Sequence, residues 1–241
     1  MIFVCGCGHS GTSLVTAMLG SHGDIYSINE ETYLFTRCVL NDSDIRAAFR
    51  TKYLPAAQEK GAKYICEKTP IHIGRLDRIR KVFAGAQIFV PVRDPRDVAL
   101  SIKLRTGRLS DGYLRWIEDN SLVRRELEAS AKDLFVFRYE DFIDDLPRTL
   151  SDICGRIGLS YDPAMLNYHQ DKRPWFGVDE SSSSNSIPPP RAHNAQFRNW
   201  QIKQPIMERR GLWKANLTRA EINEVQRACE GMMKFYGYDS G

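Results

Sequence analysis

An apolar run leads directly into a glycine-rich loop in Ile2-Phe3-Val4-Cys5-Gly6-Cys7-Gly8-His9-Ser10-Gly11-Thr12-Ser13. Residues 2–7 have the length and composition of a strand buried on both faces, and residues 13–20 have those of a helix. Glycines at such a junction let backbone N–H groups converge, and the helix N-terminus adds a partial positive charge. The loop therefore predicts a cradle for an anion.

The spacing of this loop matches the Walker pattern G-x-x-x-x-G-x-[ST] from Gly6 to Ser13, but Thr12 stands where that pattern has lysine. In nucleoside triphosphatases the lysine reaches the β- and γ-phosphates, and the next Ser or Thr holds magnesium. The sequence therefore disfavours an enzyme that uses Mg–ATP. A purely structural tight turn is the alternative interpretation of the glycines.

Further strand-like runs alternate with helical stretches along the chain. The expected strands are 64–67, 87–92 and 134–139, and the expected helices are 73–83, 96–105 and 111–131. This alternation predicts an α/β fold, a P-loop-type three-layer sandwich whose central, mostly parallel sheet is flanked by helices. A last helix is marked by Thr218 and Glu221 as a capping box and by Gly237 as its stop. Ligands of such sheets bind beyond the carboxyl ends of the strands.

The composition is that of one ordinary globular domain over residues 1–241, with 42% hydrophobic and 27% charged residues. A net charge of +4 does not point to nucleic acid, and no apolar window is long enough to span a membrane. Scattered cysteines indicate reduced thiols and no metal site. We found no leader pattern, so a cytoplasmic location is expected. The Ser- and Pro-rich stretch within 171–199 predicts a mobile loop.

A second anion-binding segment follows the third expected strand. Arg93 ends that strand, Ser101 lies two turns into the next helix, and Arg105 shares the face one turn later. The planar guanidinium of Arg93 suits a phosphate group. A surface ion-pair network around Asp94 and Asp97 is the alternative interpretation.

Taken together, His9-Ser10-Gly11-Thr12-Ser13 and the segment from Arg93 to Ser101 resemble the sulfotransferases that use 3′-phosphoadenosine 5′-phosphosulfate (PAPS). In that family a K/R-S-G-T-[TS] loop cradles the 5′-phosphosulfate, and an R-[DN]-P-x-D-x-x-x-S element binds the 3′-phosphate. Asn29-Glu30-Glu31-Thr32 is similar to the E-E-T segment of the protein-tyrosine enzymes, and Glu67-Lys68-Thr69-Pro70 to the E-K-[ST]-P segment of the carbohydrate enzymes. Tyr139-Glu140-Asp141-Phe142 resembles the family's segment near the adenine.

The resemblance implies direct, metal-free transfer of a sulfuryl group from PAPS to a hydroxyl acceptor, with adenosine 3′,5′-bisphosphate (PAP) as the second product. The residues that it assigns to the nucleotide are Gly8, His9, Ser10, Gly11, Thr12, Ser13, Arg93, Ser101, Arg105 and Tyr139. It assigns catalysis to Lys68, His9 and the pair Glu30 and Glu31, of which Glu31 is the preferred base and Glu30 the alternative. His9 departs from the family, where Lys or Arg stands. A protonated His9 could take over that role, and a neutral one would serve it less well.

Neighbours of Lys68 have expected roles too. As a fixed cation, Lys68 can stabilise the charge that develops on the leaving group. Glu67 is expected to orient the side chain of Lys68. His72, one helical turn further on, is a candidate contact for acceptor or cofactor.

The acceptor remains open between a small molecule, a carbohydrate and a peptide, because the two family segments point to different classes. Aromatic residues around the expected loop either stack on the acceptor or belong to the core; they are Tyr168, Trp175, Phe176, Phe197 and Trp200. A non-catalytic module that binds PAP and a P-loop kinase for a small molecule are the alternative functions.

Overall fold

The computed structural model describes residues 1–36, 39–171, 173, 175–176 and 194–239. Within these ranges the strands form one five-stranded sheet in the order β2-β3-β1-β4-β5, and every pairing is parallel. The strands are β1 (Ile2–Val4), β2 (Ile25–Ser27), β3 (Tyr64–Lys68), β4 (Gln87–Val92) and β5 (Leu134–Arg138). The predicted parallel sheet is confirmed.

Helices cover both faces of the sheet. They are α1 (Thr12–Gly20), α2 (Asp42–Lys52), α3 (Leu54–Glu59), α4 (Leu76–Val82), α5 (Pro95–Thr106), α6 (Ser110–Glu128), α7 (Tyr139–Asp144), α8 (Leu146–Arg156), α9 (Asn194–Ile202), α10 (Trp213–Asn216) and α11 (Arg219–Phe235), with 3₁₀ helices at Pro70–Arg75 and Pro163–Gln170. None of these helices combines the length and the apolar character that crossing a bilayer requires.

The core consists of two buried apolar clusters, one between each face of the sheet and the helices that cover it. Two clusters form because successive strand residues point to opposite faces of the sheet. Phe3 and Ile88 belong to the cluster under α2, α4, α5, α6 and α11. Ile2 and Phe89 belong to the cluster under α1, α7 and α8. A sheet with a helical layer on each face is the α/β sandwich that the strand–helix alternation predicts.

The expected elements are present with small changes. The helix expected at 73–83 begins as the 3₁₀ turn Pro70–Arg75 before α4. Strand β2 was not expected, since its three residues lack the longer apolar run that marks the equally short β1 in the sequence. The capping box of α11 is confirmed, with Thr218 and Glu221 each bonding the other's backbone N–H. The loop expected within 171–199 is wrong at its C-terminal end, because residues 194–199 belong to helix α9. Most of the remaining stretch lies outside the described residues, and its mobility stays a prediction.

The crossing of α5 and α6 is unusually close. A Cβ atom on Gly112 would lie 2.5 Å from Cα of Ala99, so only glycine fits at this point of α6. The same crossing lets Trp116 donate from Nε1 to the backbone oxygen of Arg93, at 2.8 Å. The helix that follows β4 is thereby held firmly against α6.

Candidate active site

A cavity of about 550 Å³ opens where the loop after β1 meets the carboxyl ends of β3 and β4. Its lining includes all of the expected nucleotide-binding residues except Ser10; they are Gly8, His9, Gly11, Thr12, Ser13, Arg93, Ser101, Arg105 and Tyr139. Ser10 is wholly buried. The fold therefore brings together two segments whose facing ends, Ser13 and Arg93, are eighty positions apart in the sequence.

The glycine-rich loop packs tightly against the ring of Tyr139. Gly11 has a φ of +95°, and a Cβ atom there would lie 2.6 Å from the Tyr139 ring. Both the backbone conformation and the space require glycine at this position. The Arg93 guanidinium lies 4.7 Å from the centroid of the same ring. Gly11 and Arg93 thus both contact Tyr139.

Arg93 has a buried donor left over for a ligand. Its Nη1 donates to the backbone oxygen of His9 at 3.3 Å, Nη2 donates to the backbone oxygen of Arg209, and Nη2 lies 3.6 Å from Asp97. Its Nε is buried and has no hydrogen-bond partner in the described residues. An unpaired buried donor on a guanidinium is suited to an anion that enters the cavity.

The ion pairs around Asp94 and Asp97 are local. Asp94 caps α5 by accepting from the backbone N–H of Arg96, and it also pairs with the Arg96 guanidinium at 2.8 Å. Asp97 accepts from the backbone N–H of Gly211 at 2.8 Å. These contacts hold α5 in place and leave Arg93 facing the cavity.

His9, in the glycine-rich loop, contacts α5. Its Nδ1 is 2.8 Å from Oγ of Ser101, which links the two nucleotide segments directly. Burial, reinforced by Arg105 and Arg115, lowers the pKa of His9 to about 3. The imidazole is therefore neutral near pH 7, and in this state it does not replace the positive charge of the family's Lys or Arg.

Arginine dominates the charge of the lining. The arginines of the lining are Arg93, Arg105, Arg115, Arg198 and Arg209, and Glu31 is the only carboxylate that lines the cavity with them in the described residues. Sequence reasoning found Arg93 and Arg105 but missed the others. Arg209 stands in an Arg-Arg-Gly run that could have been noticed. Arg115 and Arg198 sit within helices, where nothing in the local pattern distinguishes them from surface residues.

Glu31 and Lys68 form a direct ion pair beside the loop. Oε1 of Glu31 accepts from Nζ of Lys68 at 2.7 Å and from Nη2 of Arg198 at 2.6 Å, while Oε2 accepts from the Tyr33 hydroxyl. Burial would raise the pKa of Glu31, but Lys68 and Arg198 hold it at about 2. Burial, followed by Arg198, lowers the pKa of Lys68 to about 7 although Glu31 opposes this shift.

Glu30 points elsewhere. Its Oε1 accepts from Nζ of Lys52 at 2.5 Å and from the hydroxyl of Tyr53 at 2.8 Å, and it does not line the cavity. Of the two adjacent glutamates, only Glu31 is placed beside Lys68 and the loop.

Glu67 and His72 are wholly buried on the opposite side of β3 from Lys68, and neither lines the cavity. Glu67 accepts from Thr69 Oγ1 at 2.5 Å, from Thr32 Oγ1 at 2.9 Å and from His72 Nδ1 at 3.1 Å. Because the backbone N–H of Phe35 donates to His72 Nε2, Nδ1 carries the proton. This network positions the backbone of Thr32, next to Glu31, and none of its members lines the cavity.

The aromatic residues divide between core and cavity. Trp175, Trp200 and Tyr168 are buried, and Tyr168 also lines the cavity together with Phe197. The half-buried ring of Phe176 lies 4.6 Å from Nζ of Lys68 and 3.8 Å from the guanidinium carbon of Arg198. Within the described residues we found no group of three or more His, Cys, Asp or Glu side chains placed to hold a metal ion.

The family follows from comparison with known proteins. A model described as "Sulfotransferase family" matches residues 41–163, about half of the chain. The chain belongs to the sulfotransferase family. The resemblance drawn from the sequence motifs is confirmed.

Individual relatives are distant. Protein-tyrosine sulfotransferase 1 of Danio rerio is 23% identical over 201 residues, which cover 70% of this chain and 56% of that protein. This chain therefore spans little more than half the length of that curated relative.

Solved structures show the same fold. The sulfotransferase domain from the curacin biosynthetic pathway matches with a TM-score of 0.67 and 19% identity, covering 100% of this chain and 98% of that one. The sulfotransferase domain from the Synechococcus PCC 7002 olefin synthase matches with a TM-score of 0.65 and 18% identity, covering 99% and 94%. Mouse sulfotransferase SULT7A1, solved with PAP, matches with a TM-score of 0.59 and 15% identity, covering 97% and 84%.

Proposed function

We propose that this chain transfers a sulfuryl group from PAPS to a hydroxyl acceptor without a metal ion. The observation that carries the proposal is the ion pair between buried Lys68 and Glu31, which lines the cavity beside the glycine-rich loop together with five arginines. Membership of the sulfotransferase family favours this function over a kinase and over a non-catalytic module that binds PAP.

The cavity residues fit a doubly phosphorylated nucleotide. We propose that residues 6–13 act as a phosphate loop, with the N-terminus of α1 and the hydroxyls of Thr12 and Ser13 holding the 5′ side. The buried, unpartnered Nε of Arg93 and the hydroxyl of Ser101 would hold the 3′-phosphate, together with Arg105. Tyr139 would contact the adenine. A cavity of about 550 Å³ is of the size that binds such ligands.

The proposed chemistry divides between two side chains. When bound, PAPS supplies an electrophilic sulfuryl group on a phosphate leaving group. We assign to Oε1 of Glu31 the removal of the acceptor's hydroxyl proton. In its protonated form Lys68 would stabilise the negative charge that develops on the leaving group. His9, which is neutral here, would orient the hydroxyl of Ser101 through its Nδ1 contact. The electrostatic role would then fall to Lys68.

For the acceptor we propose a hydroxyl of a small molecule, a carbohydrate or a peptide. The peptide is supported by the relative from Danio rerio, which carries the name of a protein-tyrosine enzyme. We propose the cytoplasm as the location, because buried cysteines without disulfide partners suit a reducing compartment. These cysteines are Cys5, Cys7, Cys66, Cys154 and Cys229.

The test combines binding with an acceptor screen. Calorimetry should show tight binding of PAP and none of Mg–ATP. Radiolabelled PAPS should then transfer sulfate to a member of a panel of sugars, lipids, phenols and tyrosine peptides, and a chelator should not reduce the rate. Binding of PAP without transfer to any acceptor would favour the non-catalytic module. Binding of Mg–ATP would favour the kinase.

A further inference from the structure

One arginine nitrogen joins the two halves of the proposed site. Nη2 of Arg198, on α9, donates to Oγ of Ser13 at 3.1 Å and to Oε1 of Glu31 at 2.6 Å. Ser13 lies in the first turn of α1, on the loop proposed to hold the 5′ side of the nucleotide, and Glu31 is the proposed base. Both hydrogens of this nitrogen are therefore used, one on each half of the site.

The arrangement brings two cations to one carboxylate oxygen. Lys68 and Arg198 both donate to Oε1 of Glu31, and both lie against the ring of Phe176. Arg198 contributes to the lowered pKa of Lys68, as expected for like charges in a buried place. A second anion near Ser13 would relieve this repulsion by giving one of the two cations its own partner.

The strong pairing of Glu31 also conflicts with its proposed role. A carboxylate that accepts from Lys68, Arg198 and Tyr33 at once is ionised but holds protons poorly, as its pKa of about 2 indicates. A general base works best when its pKa is near the working pH. Releasing Arg198 from Glu31 would raise the pKa of Glu31 towards the working pH.

We propose that Arg198 is a positioning residue that exchanges its hydrogen bond with Glu31 for one with the sulfonate group of the bound donor. Glu31 is then fully competent as a base only when PAPS is in place. A guanidinium suits this exchange because carboxylate and sulfonate oxygens offer it the same kind of charge-assisted hydrogen bond. The proposal rests on the proposed function, since it requires PAPS in this cavity.

The experiment compares the affinities of PAPS and PAP, which differ in the sulfonate group. Dissociation constants are measured by calorimetry without acceptor for the wild type, Arg198→Met and Glu31→Gln. Arg198→Met should weaken the binding of PAPS by about tenfold or more, which is the scale of a hydrogen bond between charged groups. The affinity for PAP should stay unchanged. Glu31→Gln should strengthen PAPS relative to PAP, because the carboxylate no longer competes for Arg198.

Arg124→Met is the matched control, because Arg124 pairs with Glu128 on the exposed side of α6 and should affect neither ligand. Equal weakening of PAP and PAPS by Arg198→Met would overturn the exchange, as would an unchanged PAPS affinity. Should Arg198→Met fail to fold in a thermal melt, Glu31→Gln decides: no gain in PAPS affinity over PAP refutes the proposal. A wild type that does not bind PAP would instead refute the proposed function.

Discussion

Replacing Glu67 by alanine is expected to destabilise the fold beneath the proposed base. The carboxylate is wholly buried and accepts hydrogen bonds from the side chains of Thr69, Thr32 and His72. Thr32 directly follows Glu31, so the same network determines where the backbone of the base lies. The substitution leaves the side-chain donors of Thr69, Thr32 and His72 without this acceptor.

The magnitude follows from these contacts. A hydrogen bond to a charged group contributes about 1.5–3 kcal/mol, but bonds that share one acceptor are not additive. Leaving a donor without its acceptor costs about 1–3 kcal/mol, and for these donors together we expect Glu67→Ala to lower the free energy of unfolding by about 3–5 kcal/mol. Glu67→Gln keeps the shape and one acceptor oxygen, so about 1–3 kcal/mol is expected.

Urea denaturation followed by tryptophan fluorescence measures both changes. Glu128→Ala is the matched control, because the Glu128 side chain is 54% exposed and its ion pair with Arg124 contributes at most about 1 kcal/mol. A loss below about 1 kcal/mol in Glu67→Ala would refute the reasoning, since it would place the variant on the scale of an exposed ion pair.

The effect also has a predictable pH dependence. Although burial alone would raise it, His72, Thr69 and Thr32 hold the pKa of Glu67 below its usual value. A carboxylate with a lowered pKa stabilises the fold above the pKa of the unfolded chain and loses this contribution as the pH falls through the folded value. The advantage of the wild type over Glu67→Gln should therefore shrink in strongly acidic solution, and an advantage that grows there would contradict the assignment.

Glu31→Gln should lower sulfuryl transfer by about a hundredfold or more, the scale of a general base, whereas Glu30→Gln should leave it unchanged in the same radiolabel assay; the reverse result would make Glu30 the base. Gly11→Ala should abolish PAP binding in calorimetry, because its added methyl group would lie 2.6 Å from the Tyr139 ring at a φ of +95°, and retained affinity would show that the loop does not hold the nucleotide. Burial and nearby arginines lower the pKa of His9 to about 3, so the wild type should lose stability as the pH falls from 7 to 5. His9→Gln should flatten this slope in thermal unfolding, and identical slopes would refute the neutral imidazole.

The parts of the site that follow a strand directly were predictable from the sequence. The loop after β1, Lys68 at the end of β3 and Arg93 after β4 all lie where parallel strands end, and that edge of the sheet is the same for each. Glu31 was found only through the family resemblance, since strand β2 before it lacks the longer apolar run that would mark it in the sequence.

The remaining residues depend on how helices pack. Arg115 and Arg198 reach the cavity because of the rotation of α6 and α9, which local composition does not determine. Glu67 and His72 lie away from the cavity for a related reason. Alternation along β3 sends Glu67 and Lys68 to opposite faces, and the turn after the strand brings His72 to the side of Glu67.

The glycine at the crossing of α5 and α6 makes the width of the cavity depend on a residue outside it. Gly112 faces Ala99, while Arg105 on α5 and Arg115 on α6 line the cavity beyond the crossing. Any larger side chain at position 112 has to push the helices apart and thereby separate these two arginines. A single substitution at position 112 could therefore change the size of the ligand that the cavity admits, while every lining residue stays the same.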